Sequence, residues 1–233
     1  MTTKANVSVI ITAAGSGSRM HTNVNKIFLP LKGKPVLVWS LQVFCDCPEV
    51  SEIIVTAGPK EMGSVTELTK EYPIVKKVIE GGSSRAESVK KALEHVSADA
   101  ELIAVHDGAR PLLSAESLQA VLAAGRACDG AVLAVPVNET VKEVADGQSL
   151  LVTRTLKREG LWTAQTPQVF RPSILKQAYA REDVADFYDD SSLVEASGGK
   201  IALVTGSYDN IKLTTFDDFI MAGMLIDRRG MGR

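Results

Sequence analysis

Residues 7–20 read "VSVIITAAGSGSRM". The apolar run at 7–11 has the character of a strand covered on both faces. It leads directly into a glycine turn holding Gly15 and Gly17. A strand followed by such a turn sets backbone N–H groups at the carboxyl edge of a sheet, where phosphates bind. Two familiar phosphate motifs fit poorly. A dinucleotide fingerprint wants a third small residue where Met20 stands, and an acid after the second strand, where "EIIVTA" (52–57) ends without one. A P-loop wants Ser or Thr after Gly33-Lys34, and Pro35 follows instead. Arg19 in the turn and Lys26 beyond it add cations that a loop hugging a pyrophosphate with its amides does not need. They suit more negative charge, or charge that grows during a reaction.

Outward from this turn, short apolar runs alternate with longer amphipathic ones. Strands are expected at 7–11, 52–57, 75–79, 102–106, 131–137 and 201–205. The clearest helix begins in "SSRAESVKKALEHV" (83–96), where Ser84 and Glu87 form a capping-box pattern and Ala86, Val89, Leu93 and Val96 share a face. Ser114 and Thr215 open two more helices, and "KPVLVWSLQVF" (34–44) reads as another, with Pro35 at its first position. This alternation predicts an α/β fold: a Rossmann-like αβα three-layer sandwich around a mainly parallel sheet. Residues 139–162 break the rhythm. Asp146-Gly147 is a turn signal between two runs of strand character with mixed polarity. The stretch reads as a β-hairpin at about 138–160 of one domain spanning 1–233, and pattern leaves an arm projecting from the sheet and an ordinary edge hairpin equally open.

The chain has 233 residues, 45% of them hydrophobic, which is enough for one sizeable core. With 28 acids against 26 bases and no dense basic run, nothing marks a nucleic-acid binder. Cys45, Cys47 and Cys128 are an odd, sparse set that fits a reduced cytosolic protein better than a disulfide framework. No apolar run approaches the roughly 20 residues of a membrane span. A soluble cytoplasmic protein without nucleic-acid or membrane partners is expected.

Three further stretches could carry chemistry. In "EGGSSRAESV" (80–89), Gly81-Gly82 follows a strand and opens a helix, and its amides could read a base or a ribose; a plain strand-to-helix turn accounts for the glycines equally well. In "VHDGARP" (105–111), Asp107 stands at the carboxyl edge, where an acid can hold a metal ion or sugar hydroxyls. His106 reads as a packed, hydrogen-bonded histidine. In "GSYDNIKLTTFDDF" (206–219), Lys212 and Asp209 lie between a strand and the last helix. For these two and for Arg158, pattern leaves a substrate role and a solvated turn residue both open. Gly-x-Ser-x-Gly, His-Glu-x-x-His and Cys-x-x-Cys do not occur, which removes the common hydrolase and metal-site readings.

"AAGSGSRM" with Lys26 resembles the nucleotidyltransferase signature of sugar-phosphate activating enzymes. "GGSSRAESV", "VHDGARP", "VPVNET" (135–140), "TAQTPQVF" (163–170) and "DNIKLTT" (209–215) narrow it to the cytidylyltransferase branch. Over about 7–226 the chain resembles the 2-C-methyl-D-erythritol 4-phosphate cytidylyltransferase family. The resemblance implies transfer of CMP from CTP to methylerythritol phosphate, with Mg2+ bound mainly through the CTP phosphates and Asp107 as an acid the metal could touch. It also implies a homodimer whose arms interlock. Residue by residue, Arg19 and Lys26 match the cations at the α-phosphate, while Arg158 and Lys212 match those that position the second substrate. Ala13, Ala14, Gly15, Gly17, Gly82 and Ser88 match the CTP pocket; Asp107, Thr140, Asp209 and Thr214 match second-substrate contacts. Thr140 and Arg158, at the base of the arm, would reach the partner's site. Asn25 precedes Lys26 where the wider signature often has a proline that would stiffen the approach. A ribitol 5-phosphate cytidylyltransferase is the nearest alternative, disfavoured by the residues after Asp107. An NAD-dependent oxidoreductase and a non-catalytic nucleotide-binding regulator are weaker ones.

Overall fold

A computed structural model of the chain describes residues 6–15, 25–145 and 150–230. Gly17, Arg19 and the Asp146-Gly147 turn therefore lie outside the described residues. In chain order the strands of the main sheet are β1 (Val7–Ala13), β4 (Val50–Ala57), β5 (Val75–Glu80), β6 (Leu102–Asp107), β7 (Gly130–Pro136), β10 (Trp162–Phe170) and β11 (Ile201–Thr205). Two short pairs stand apart from it: β2 (Pro30–Leu31) with β3 (Lys34–Pro35), and β8 (Lys142–Val144) with β9 (Val152–Thr155). The helices are α1 (Val36–Cys45), α2 (Met62–Thr69), α3 (Arg85–Leu93), α4 (Ala115–Ala127), α5 (Pro172–Tyr179), α6 (Asp190–Ala196) and α7 (Phe216–Arg229). No helix of the described residues is long and apolar enough to cross a membrane.

The seven strands lie in the order β11-β7-β10-β6-β1-β4-β5. All neighbours are parallel except those of β10, which runs antiparallel to both β6 and β7. Alternate residues of β1 serve opposite layers. Val7, Val9 and Ile11 pack with Leu37, Leu41 and Phe44 of α1 and with Leu118, Val121 and Leu122 of α4. Ile10 packs with Val89 and Leu93 of α3, Leu175 of α5 and Leu193 of α6. This is the three-layer α/β arrangement the alternation predicts. A third cluster, Leu31, Trp39, Leu213 and Ile226 among it, docks α7 against the β2–β3 corner.

Three expectations change. β10 is a central strand at a place where no strand of the sheet is expected. Its buried half, from Gln165 to Phe170, carries polar side chains that hide the strand pattern. Pro35 is the extended residue before α1 (φ −56°, ψ 144°), not its first helical residue, because it pairs with Pro30 as β3. The capping box at α3 forms by half: the Ser84 hydroxyl accepts from the Glu87 N–H, but the Glu87 carboxylate turns to the Ser83 N–H at 2.7 Å. The box at α7, Thr215 with Asp218, is complete.

Because β10 reverses the sheet's direction, its start lies beside the end of β7, with Trp162 opposite Pro136. The connection between them therefore leaves and returns at the carboxyl edge of the parallel strands. It is the hairpin β8–β9, in which Lys142 faces Thr155 and Glu143 faces Arg154. Every residue of β9 is exposed, as are Leu150 and Leu151 just before it.

Candidate active site

β1, β5 and β6 all end at the same edge, and the turns that follow them enclose a cleft of about 390 Å³. Ala13, Ala14 and Gly15 form one wall, Gly82, Ser83 and Ser84 a second, and Asp107 with Lys212 a third; Lys26 borders the mouth. The two glycine turns nest because side chains are missing between them. A Cβ on Gly81 would stand 2.3 Å from the Ala14 Cβ, and one on Gly82 would stand 2.4 Å from the Glu87 Cβ. Ser88, buried, accepts from the Gly82 N–H at 2.9 Å and donates to the Ser84 carbonyl at 2.8 Å, closing the turn over the start of α3.

Lys26 opens a 3-10 turn, Lys26–Phe28, whose preceding residue is Asn25. The Asn25 side chain donates to the Gly15 carbonyl at 2.8 Å and accepts from the Ile27 N–H at 3.3 Å. One amide thus ties the end of the loop to its beginning and caps the turn that carries the lysine. Where a proline would stiffen the approach, this sequence uses two hydrogen bonds.

Asp107 ends β6 almost fully buried. Its Oδ1 receives Arg85 Nε at 3.1 Å; its Oδ2 receives Lys212 Nζ at 2.9 Å, with Arg110 Nε at 3.5 Å. Burial alone would raise its pKa, but Arg85, Lys212 and Arg110 outweigh it and hold the carboxyl far below the usual range. Beyond this carboxylate lies a second cavity of about 250 Å³, bordered by Arg85, Arg110, Gln165, Tyr188 and Lys212. Asp107 and Lys212 border both cavities. Arg85 and Arg110 sit inside two motifs singled out above, yet nothing in the sequence reveals that both reach Asp107. The only signal is an arginine within each motif.

The motifs at 163–170 and 209–215 interlock to hold Lys212 there. Between Ala164 and Gln168 the β10–β7 register shifts. Asn210 Nδ2 donates to the Thr166 carbonyl at 2.9 Å, Gln165 donates to the Ser207 carbonyl at 2.8 Å, and Arg110 donates to the Asn210 carbonyl at 2.7 Å. Asp209 pairs with Arg228 and Arg229 of α7, and Thr214 bonds Asp218 at 2.8 Å. Asp209 and Thr214 thus anchor the loop and line neither cavity. Thr140 and Arg158 are exposed at the base of the hairpin and also line neither; Arg158 Nη1 donates to the Asn138 carbonyl at 2.5 Å.

His106 is fully buried, as a packed histidine should be, with its ring edge-on to Phe44 at 5.1 Å. Nε2 lies 3.1 Å from the Arg110 carbonyl, which can only accept, so that nitrogen carries the proton. Nδ1 then accepts from the Thr166 hydroxyl at 3.1 Å, and the same oxygen accepts the Asp107 N–H at 3.0 Å. Burial pushes the imidazole down to about 4, against the opposing pull of Asp107. A folded pKa below the unfolded one stabilises above the unfolded value and is lost as pH falls. From pH 7 to 4.5, His106 should therefore cost the fold about 2–3 kcal/mol. Urea unfolding at both pH values should show this loss, and His106→Gln should remove most of it; an equal loss in both proteins would refute it.

Lining the two cavities are Lys26, Arg85, Arg110 and Lys212 against the carboxylates Asp107 and Asp189. The excess positive charge and the backbone-lined turns suit two anionic ligands meeting at Lys212.

Comparison with known proteins agrees. Residues 7–228 match the family model described as 2-C-methyl-D-erythritol 4-phosphate cytidylyltransferase. A protein of that name from Symbiobacterium thermophilum is 44% identical, over 95% of this chain and 93% of its own. One from Bacillus licheniformis is 39% identical, over 95% and 96%. Among solved structures, the Thermus thermophilus enzyme of the same name superposes with a TM-score of 0.78 at 33% identity, over 95% of this chain and 99% of that one. A 4-diphosphocytidyl-2C-methyl-D-erythritol synthase from Anaerococcus prevotii gives 0.81 at 29% identity, over 96% and 99%.

Proposed function

This chain belongs to the 2-C-methyl-D-erythritol 4-phosphate cytidylyltransferase family and transfers the cytidylyl group of CTP to that polyol phosphate, and on this premise we propose how its residues divide the work. The transfer is a step of non-mevalonate isoprenoid precursor synthesis. A phosphate oxygen of the polyol phosphate forms a bond to the α-phosphorus of CTP, the bond to the bridging oxygen breaks, and pyrophosphate leaves. CTP occupies the larger cleft, with Ala13, Ala14, Gly15, Gly17 and Gly82 supplying backbone contacts and Ser88 shaping the turn. Lys26 and Arg19 stabilise the charge that builds on the α-phosphate oxygens. The polyol phosphate occupies the smaller cavity, beside Arg110 and Asp107.

The observation that carries this division is Lys212, which borders both cavities while its ammonium rests 2.9 Å from Asp107. A cation on that shared wall offsets the repulsion between two phosphates held for in-line attack. Asp209 and Thr214 act on the second substrate through the loop that presents Lys212.

Magnesium fits as an ion carried on the triphosphate. No group of three or more His, Cys, Asp or Glu that could hold a metal occurs among the described residues, and Asp107 already faces three cations. The metal would neutralise phosphate charge and favour departure of pyrophosphate. Pyrophosphate release from CTP and methylerythritol phosphate should stop with a chelator and return with Mg2+. Full activity in the chelator would overturn the metal reading.

Thr140 and Arg158 serve the site of a second copy, reached by the arm. The exposed Leu150, Leu151 and Val152 support a homodimer through this hairpin. Arg158→Ala should raise KM for the polyol phosphate by about 10-fold or more while leaving KM for CTP unchanged. A rise confined to CTP, or a fully active monomer by sedimentation, would overturn the arm's role. The three free cysteines support a reducing, cytoplasmic setting.

A further inference from the structure

The stretch "YDDSS" (188–192) opens α6 with two adjacent acids that do different work. Asp189 caps the helix, accepting from the Ser192 N–H at 2.8 Å, and its other oxygen accepts from Gln168 of β10. Asp190 is not needed for the cap. Its side chain is wholly buried, and it lines neither substrate cavity. A buried carboxylate is costly unless paired. Here Oδ1 accepts from the Tyr179 hydroxyl and Oδ2 meets Arg85 Nη1 at 2.8 Å. Burial raises the Tyr179 phenol far above its usual range, with Asp190 adding to it, so that hydroxyl remains a donor.

Arg85 carries the connection forward. Burial opposes its charge, but Asp190 and Asp107 together more than offset this. One edge of the guanidinium holds Asp190, and Nε holds Asp107 Oδ1 at 3.1 Å, leaving Oδ2 for Lys212 at 2.9 Å. With each oxygen assigned to a different cation, the Asp107 carboxylate cannot rotate without breaking a charge-assisted bond.

We propose that Asp190 is a positioning residue for the transfer, acting through Arg85 and Asp107 to hold Lys212 on the wall between the two cavities. This rests on the reading of Lys212 given above. Asp190 touches no substrate, so its effect must travel along this chain of pairs.

Asp190→Asn keeps the shape and an acceptor for Tyr179 while removing the charge. It should lower kcat by about 10-fold or more, as loss of an orienting partner does at other sites. The Kd for CTP alone should change by less than about 3-fold, since the glycine turns and Lys26 are untouched. The decisive measurement is a double-mutant cycle. In a Lys212→Ala background, Asp190→Asn should cost less than about 2-fold further in kcat. An equal loss in both backgrounds would show that Asp190 only supports the fold, and would overturn the proposal. Lys212→Ala with unchanged kcat would overturn the reading of Lys212 and the proposal with it. Should Asp190→Asn not fold, Tyr179→Phe removes only the hydroxyl that fixes the carboxylate. It should lower kcat alone by about 3-fold and lose that effect in the Lys212→Ala background, and a persisting effect would overturn the proposal.

Discussion

Lys26→Ala is expected to lower kcat by on the order of 100-fold or more, equivalent to about 2.7 kcal/mol of transition-state stabilisation. The expectation follows from fixed charge. Lys26 borders the cleft from a turn whose cap, Asn25, is bonded back to Gly15, while Ile27 is buried in the core beneath it. A cation held this way needs no reorganisation as negative charge grows on the phosphate oxygens, which is where preorganised electrostatics contributes most. Because Ile27 remains, the fold should survive the substitution. Steady-state kinetics at saturating CTP and polyol phosphate measures the effect, and an unchanged turnover number would contradict the proposed role. Asn25→Ala should lose part of the same factor, since it frees the turn without removing the charge.

The second large effect concerns stability. Asp107→Asn should lower unfolding free energy by about 3 kcal/mol, the low end for breaking a buried ion pair. The substitution leaves Arg85 and Arg110 facing one another with no carboxylate between them, both mostly buried. Lys212 is less confined, with a side chain 41% exposed, and can turn to water, which moderates the loss. The sign with pH is fixed by the depressed folded pKa. Asp107 stabilises the protein above the ordinary carboxylate range, and that contribution disappears as acid protonates it. Urea unfolding at pH 7 should show the deficit, and a loss under about 1 kcal/mol would mean that the three cations already relax into solvent.

Much of the fold could be read from the chain because strands buried on both faces are nearly continuous apolar runs. β1, β4, β6 and β7 behave in this way, and two of them, β1 and β6, end at the cleft. β10 escaped for a physical reason. Its polar side chains Gln165, Thr166 and Gln168 are buried and satisfied by residues far away in sequence: Ser207, the Asp107 backbone and Asp189. No local period records such pairings. The same limit applies to the site. The glycine turns and Lys26 announce themselves because their role depends on neighbours in sequence. Arg85 and Asp190 join Asp107 from far along the chain, and Arg110 from three residues away, yet their identity alone is that of ordinary surface charges.

The reversed direction of β10 also makes the arm modular. Trp162 faces Pro136, and the Val137 N–H bonds the Leu161 carbonyl at 3.0 Å, so the sheet is closed off before the hairpin begins. Chain inserted beyond that clasp changes no register inside the sheet, and doubling a loop's length costs only about 0.6 kcal/mol in closure entropy. Arm length, and composition beyond Thr140 and Arg158 at its base, are thus free to drift, or to be exchanged between relatives, at little risk to the core. Since both ends of the arm are rooted at the carboxyl edge, each such exchange would alter what approaches the reaction centre. The sheet keeps the chemistry constant while its one detachable part explores new surroundings.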